Sequence, residues 1–250
     1  MDLHLSGQRV LITGGSKGIG AACAQSFAAE GCDLVLVARD AAQLQRTREQ
    51  IAALHGVRVD VHALDLRAPG GIERAAALAA DVDVLVNNAG DIPAGTIETV
   101  DEARWREAWE LKLFGYINLS RTVYGAMKAR GRGVIVNVIG MAGERASYEY
   151  LCGSTANAAL AAFTKGMGLG STEFGVRVVG VHPPSTRTER VQTLHAQTAQ
   201  RRYGDATKTA ELVRDGIFLP TIEPEQVADA VVYLASARAS QLSGIVVNLG

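Results

Sequence analysis

Seven short runs rich in β-branched residues recur along the chain, separated by longer alanine-rich stretches of helical period. They are RVLIT (9–13), DLVLVA (33–38), VRVDVHAL (57–64), VDVLVNN (82–88), GVIVNVI (133–139), GVRVVGV (175–181) and GIVVNLG (244–250). This alternation from start to finish predicts an α/β fold of Rossmann type, in which helices cover both faces of a doubly wound, parallel, seven-stranded sheet. The helical pattern places helices near 18–30, 40–55, 71–80, 100–129, 153–173 and 224–236. Within the fifth of these, GSTANAALAAFTK (153–165) reads as a helix opening with Ser154 or Thr155 available as cap. Residues 188–219 are polar and only weakly periodic, which predicts a mobile excursion over one edge that covers a substrate. No Gly/Ser or Pro linker and no repeat interrupts the pattern, so residues 1–250 read as a single domain.

A glycine-rich turn gives the pattern a chemistry. TGGSKGIG (13–20) follows the first strand and opens the first helix. Gly14 permits the tight turn, Gly18 lets the backbone approach a pyrophosphate, and Gly20 allows close helix–strand packing, with helix N–H groups as donors. Gly14, Ser16, Lys17, Gly18, Ile19 and Gly20 therefore form a candidate dinucleotide cradle. The second strand ends in Ala38-Arg39 where a carboxylate would hold the ribose of NAD. Arg39, with Lys17, offers positive charge to a 2′-phosphate, which favours NADP(H) over NAD(H); alternatively both are surface cations and Asp40 serves the ribose. Asp65, followed by Leu66, ends the third strand, where it either accepts from an adenine amine or caps the next helix. In NNAG (87–90) the asparagines can tie strands together, while Asn88, Ala89 and Gly90 keep the backbone close to a cofactor.

Composition narrows the partners. With 25 basic and 26 acidic residues the net charge is -1, which argues against nucleic acid as the main partner and leaves Arg201-Arg202 as a solvated helix face or a local basic patch. Cys23, Cys32 and Cys152 lie far apart and the first residues carry no secretion signal, so a cytoplasmic location is expected. No apolar run is long enough for a membrane span, and the five histidines do not cluster, so no metal is expected.

TGGSKGIG, NNAG, the position of Asp65 and the tail PEQVADAVVYLAS...LSGIVVNLG together resemble the short-chain dehydrogenase/reductase family over essentially the whole length. The resemblance implies a nicotinamide cofactor, a small-molecule substrate and a homo-oligomer, dimer or tetramer, paired through helices 100–129 and 153–173. It also implies an active site of Ser, Tyr, Lys and Asn, and here the chain departs from it. Ungapped alignment puts Gly153 at the Tyr position, Asn157 at the Lys, Gly140 at the Ser and Lys112 at the Asn. In HPPSTRT (182–188), Pro183 belongs to the cofactor-binding turn, Pro184 replaces a glycine, and Thr188 aligns with a Thr that contacts the carboxamide.

Gly153 has no side-chain proton to give, so the usual acid/base cannot act from there. Lys112 and Asn157 read as an exchange of the family's Asn and Lys across one cavity, or Lys112 is a snorkelling surface lysine. Gly140 and Gly153 leave a space that close packing should fill. Tyr148, Tyr150, Glu144, Glu149, Cys152 and Ser154 are candidates for it, and Tyr150 is either a relocated acid or a packing aromatic. His182 is an acid/base group or a structural histidine. His195, Arg201, Arg202, Tyr203 and Phe218 are expected to shape the substrate pocket. Two functions follow: an NADP(H)-dependent oxidoreductase of a carbonyl, alcohol or enone with a non-standard site, or an inactive NADP(H)-binding sensor, scaffold or partner subunit.

Overall fold

The computed structural model describes residues 1–218 and 220–250. Position 219, the last of the 188–219 segment, lies outside the described residues. The strands are β1 (Arg9–Thr13), β2 (Asp33–Ala38), β3 (Val59–Ala63), β4 (Val84–Asn87), β5 (Gly133–Val138), β6 (Val176–His182) and β7 (Ile245–Asn248). They form one parallel sheet in the order β3-β2-β1-β4-β5-β6-β7. The order reverses between β1 and β4, and the crevice outside their carboxyl ends is the place such a sheet offers a ligand.

Both faces of the central strands are buried, which is why these read as continuous apolar runs. On β1, Val10 and Ile12 enter one core with Phe27, Leu34, Leu36 and Val231, while Leu11 enters the other with Val35, Leu85, Leu119 and Met127. The first core lies under α1 (Gly18–Ala29) and α9 (Pro224–Ala235); Leu119, Val123 and Met127 of the second come from α5 (Gly115–Arg130). Fully burying one such side chain is worth about 1.5–3 kcal/mol. A line of polar groups crosses the interior: Asn87 Nδ2 donates to Asn137 Oδ1 (2.9 Å) and Ser120 Oγ (2.9 Å), and Asn137 Nδ2 donates to Thr164 Oγ1 (2.9 Å). Asn87 and Asn137 are register partners on β4 and β5, so this chain of bonds ties the strands together as expected.

Three elements differ from expectation. The helix expected at 100–129 is α4 (Glu102–Trp109) and α5 joined by a π-helical turn, Glu110–Phe114. The helix after β5, α6 (Leu151–Ser171), starts two residues early with Tyr150 as N-cap. Neither Ser154 nor Thr155 caps it, because Ser154 Oγ accepts from Ser147 N (3.1 Å) and Thr155 Oγ1 bonds back to the Leu151 carbonyl (2.9 Å). The segment expected to be a mobile excursion is built largely of two helices, α7 (Glu189–Tyr203) and α8 (Thr209–Arg214), the first capped by Thr188. The remaining helices are α2 (Ala41–Leu54) and α3 (Gly71–Leu78). Among the described residues no helix is long and apolar enough to cross a membrane, and no cluster of three or more His, Cys, Asp or Glu could hold a metal.

Candidate active site

At the carboxyl edge lies a cleft of about 1220 Å³. Gly14, Ser16, Lys17, Gly18, Ile19, Arg39, Asp65, Leu66, Asn88, Ala89, Gly90, Pro183 and Thr188 all border it. Gly20 does not; a Cβ there would collide with the Gly14 carbonyl and lie 2.6 Å from Asn88 Nδ2, so its bareness serves packing. Gly14 has φ +68°, a left-handed conformation that glycine adopts without strain. Thr13 joins the two halves of the sheet here: its Oγ1 accepts from the N–H groups of Asn88 (2.9 Å) and Ala89 (3.1 Å). Asn88 Nδ2 in turn donates to the Thr13 carbonyl (3.0 Å). No side chain caps the start of α1, which leaves its first-turn N–H groups facing the cleft free of side-chain acceptors.

The charged candidates sort differently. Arg39 is exposed on the cleft, whereas Asp40 accepts from Gln43 N (2.9 Å) and caps α2. Lys17 pairs with Glu189 of α7 (3.1 Å). Asp65 does not cap α3, whose N-cap is Gly70. Its carboxylate instead takes Arg67, Nη2 to Oδ2 at 2.9 Å and the backbone N to Oδ1 at 2.9 Å, and these bonds hold the acid below its ordinary range. Arg67 also reaches Glu107.

Lys112 sits in the π turn and is 9% exposed, which overturns the reading of a surface lysine. Its Nζ donates to the carbonyls of Val138 (2.8 Å) and Ile139 (3.0 Å) at the end of β5 and lies 3.2 Å from Tyr116 Oη. Burial, with the Arg190 guanidinium nearby, pulls the amine down to about 7. A Cβ on Gly90 would meet its stem at 3.0 Å, so the bare Gly90 backbone makes room for it.

The two glycines beyond β5 leave room that specific neighbours take. A Cβ on Gly153 would overlap the ring of Tyr150, and one on Gly140 would fall 2.7 Å from Asn157 Nδ2. Tyr150 thus fills the space beside Gly153, and the Asn157 amide the space beside Gly140. Asn157 is 4% exposed and its Oδ1 has no hydrogen-bond partner among the described residues. It borders a second cavity of about 530 Å³ that adjoins the cleft through Ile139, Gly140 and Tyr150. Lys112 and Asn157 therefore meet the end of β5 but line adjoining spaces, one each, rather than facing across one. The Tyr150 phenol is pushed up by burial, against the pull of the Arg190 guanidinium.

Arg190 was missed by the sequence reading, since an arginine in the first turn of α7 belongs to no motif. It borders both cavities and holds Asp91 (Nη1–Oδ1, 3.1 Å) and the Ile92 carbonyl (2.6 Å). His182 and Cys152 stand aside. His182 is fully buried and bonds through Nδ1 to the Gly140 carbonyl (2.7 Å), bordering neither cavity. Burial holds its pKa low, and Glu144 stands 3.4 Å from its Nε2. Tyr148 is 59% exposed, Cys152 is buried, and Glu149 pairs with Arg201 (3.6 Å). Of the residues expected to shape a substrate pocket, Arg202 and Phe218 border the second cavity. His195 stacks on Phe218 (centroids 4.5 Å apart), and Tyr203 Oη donates to Asp215 (2.6 Å).

Comparison with known proteins agrees with this architecture. Residues 8–199 match the model of the short chain dehydrogenase family. The chain is 30% identical to the uncharacterized oxidoreductase YvrD of Bacillus subtilis (strain 168), over 98% of this chain and 95% of that protein. It is 32% identical to L-xylulose reductase of Mesocricetus auratus, with 98% and 95% covered. Among solved structures, L-sorbose reductase of Gluconobacter frateurii, complexed with NADPH and L-sorbose, superposes with a TM-score of 0.89 at 29% identity, covering 100% of this chain and 97% of that one. A glycine turn at the switch point of a seven-stranded parallel sheet, a cleft along its carboxyl edge and this family match place the chain in the short-chain dehydrogenase/reductase family, among the oxidoreductases.

Proposed function

We propose that the chain is an NADP(H)-dependent oxidoreductase of a small carbonyl, alcohol or enone compound, working from a rearranged site in which all four of the family's usual catalytic residues are replaced. The observation that carries this reading is the Tyr150 ring, which lies in the room Gly153 leaves and borders both cavities. The residues present fit a dinucleotide: the turn at Gly14 and Gly18 is bare, the start of α1 has no side-chain cap, and Arg39 is exposed beside it. Arg39 and Lys17 supply positive charge for a 2′-phosphate, and L-sorbose reductase, solved with NADPH, supports that preference by likeness. When bound, the nicotinamide supplies or accepts the hydride.

The chain's own groups handle the proton. Tyr150, with its pKa raised, keeps its hydroxyl proton at neutral pH and presents it to a substrate oxygen. Arg190 orients that phenol and offsets part of its desolvation. Lys112, held by two carbonyls, places an amine that titrates near 7 at the inner wall of the cleft. The free Oδ1 of Asn157 accepts a hydrogen bond from a substrate hydroxyl or a water. Three buried free thiols suit a reducing cytoplasm, and Phe114 (45% exposed) in the π turn and Leu169 (78%) on α6 suit a homo-oligomer.

The test is NADPH oxidation over a panel of carbonyl and enone compounds. Turnover is expected, and Tyr150→Phe lowers kcat by about 100-fold or more while NADPH affinity, read by its fluorescence, stays. Tight NADPH binding with no turnover on any compound, or an unaffected Tyr150→Phe enzyme, defeats the reading.

A further inference from the structure

The second cavity is lined by Tyr150 and Asn157, and at its edges guanidinium groups outnumber carboxylates. Arg145, in the loop before α6, and Arg202, near the end of α7, both border it and are exposed. Among the described residues neither side chain pairs with a carboxylate, although Arg202 lies near Asp215. Among the described residues the one carboxylate bordering the cavity, Glu149, is engaged by Arg201 (3.6 Å), and the third guanidinium, Arg190, is engaged by Asp91. Two guanidinium groups are thus left without a paired carboxylate, Arg202 beside the Tyr203 hydroxyl, around an apolar middle that includes Ile217 and Phe218. A cavity of one sign attracts ligands of the other, and a guanidinium fork matches a carboxylate better than any neutral group.

We infer that this cavity takes an organic acid, a carbonyl or hydroxy compound whose carboxylate pairs with Arg145 and Arg202 while its reacting carbon lies at Tyr150 and Asn157. The inference rests on the oxidoreductase reading for the reacting end alone; the anion subsite is a property of the cavity. The apolar walls require a hydrocarbon segment between the two ends, since a polar linker there would lose its hydration without gaining partners. The free Asn157 amide gives the inner end a polar group for the substrate oxygen.

Calorimetry on the NADPH-loaded protein tests this without needing turnover. The probes are 4-oxopentanoate, 5-oxohexanoate and 6-oxoheptanoate, each against its methyl ester. At least one acid is expected to bind about tenfold or more tightly than its ester, and to lose that margin in the R145A/R202A variant or in high salt. Both arginines are exposed, and unchanged NADPH fluorescence titration shows that the variant is folded. Esters binding as tightly as acids, acids that bind the variant as well as the wild type, or no binding by any acid would overturn the inference. If an acid binds through the two arginines yet is never reduced, the subsite stands and the oxidoreductase reading falls.

Discussion

At the scale of single residues, the Lys112 amine reports its own surroundings. Its ordinary value is 10.5 and the folded protein holds it at about 7, because burial disfavours the ammonium and Arg190 repels it. Between those values the unfolded chain binds a proton that the folded chain does not, so stability contributed by this group rises as pH climbs from about 7 towards 10.5. Conversely it is lost as pH falls through 7. The slope approaches about 1.4 kcal/mol per pH unit at its steepest. In Lys112→Met this part of the slope is absent, as urea unfolding at several pH values between 6 and 9 would reveal; coincident slopes in variant and wild type would contradict the buried-amine geometry. That Lys112 points inward was one of two readings of the sequence, and residue type alone does not choose between them. The choice is made by two carbonyls at the end of β5, distant in sequence, and by the room above Gly90. Tyr150 was legible as a candidate for a similar reason: a glycine one turn on leaves a hole, and close packing demands an occupant. Which occupant it would be was not legible, since six side chains stood near enough in sequence.

Elements show where local patterns lose to tertiary structure. The central strands were readable because burial on both faces makes them compact apolar runs; β1 and β2 fall on the expected limits, and the others depart from them by one or two residues. The π turn was not, since an i→i+5 bond has no residue signature and is sustained by what Leu111, Lys112 and Leu113 bury. The polar segment 188–219 suggested mobility because its apolar period is weak, yet α7 is joined to the body through its charges: Lys17–Glu189, Arg190–Asp91 and Arg201–Glu149. Partly exposed pairs of this kind are worth only about 0.5–1 kcal/mol each, so the helix is held but not locked. Asp91→Ala removes the acceptor shared by Arg190 and Arg104. Amides of residues 189–203 should then exchange with deuterium roughly two- to fivefold faster while those of α1 keep their rate. Uniform exchange in α7 of variant and wild type would mean that packing around His195 and Ala199, rather than charge, fixes the helix.

For the whole molecule, the cleft lies where the two halves of the sheet meet, β3-β2-β1 on one side and β4 to β7 on the other, with α1 and α7 approaching across it. Sequence alternation made the parallel, two-sided sheet legible; the position of the crevice follows from strand order, which alternation alone does not contain. A ligand held between the halves stabilises both, by RT ln(1 + [L]/Kd), about 2.7 kcal/mol at a hundredfold excess over Kd. In a chain of 250 residues each kcal/mol raises Tm by about 2–4 °C, so saturating NADPH should raise it by roughly 5–10 °C. If Arg39 reads a 2′-phosphate, NADH at the same concentration gives a smaller rise, because it offers that guanidinium nothing to pair with. The gap between the two cofactors should shrink in high salt, since Arg39 is exposed and screening acts on it fully. Arg39→Ala should bring the two melting curves together by lowering the NADPH shift and sparing the NADH shift. Equal shifts for both cofactors in the wild type would remove Arg39 from the cofactor site and return the ribose to Asp40, which would then have to leave its cap on α2 to serve it.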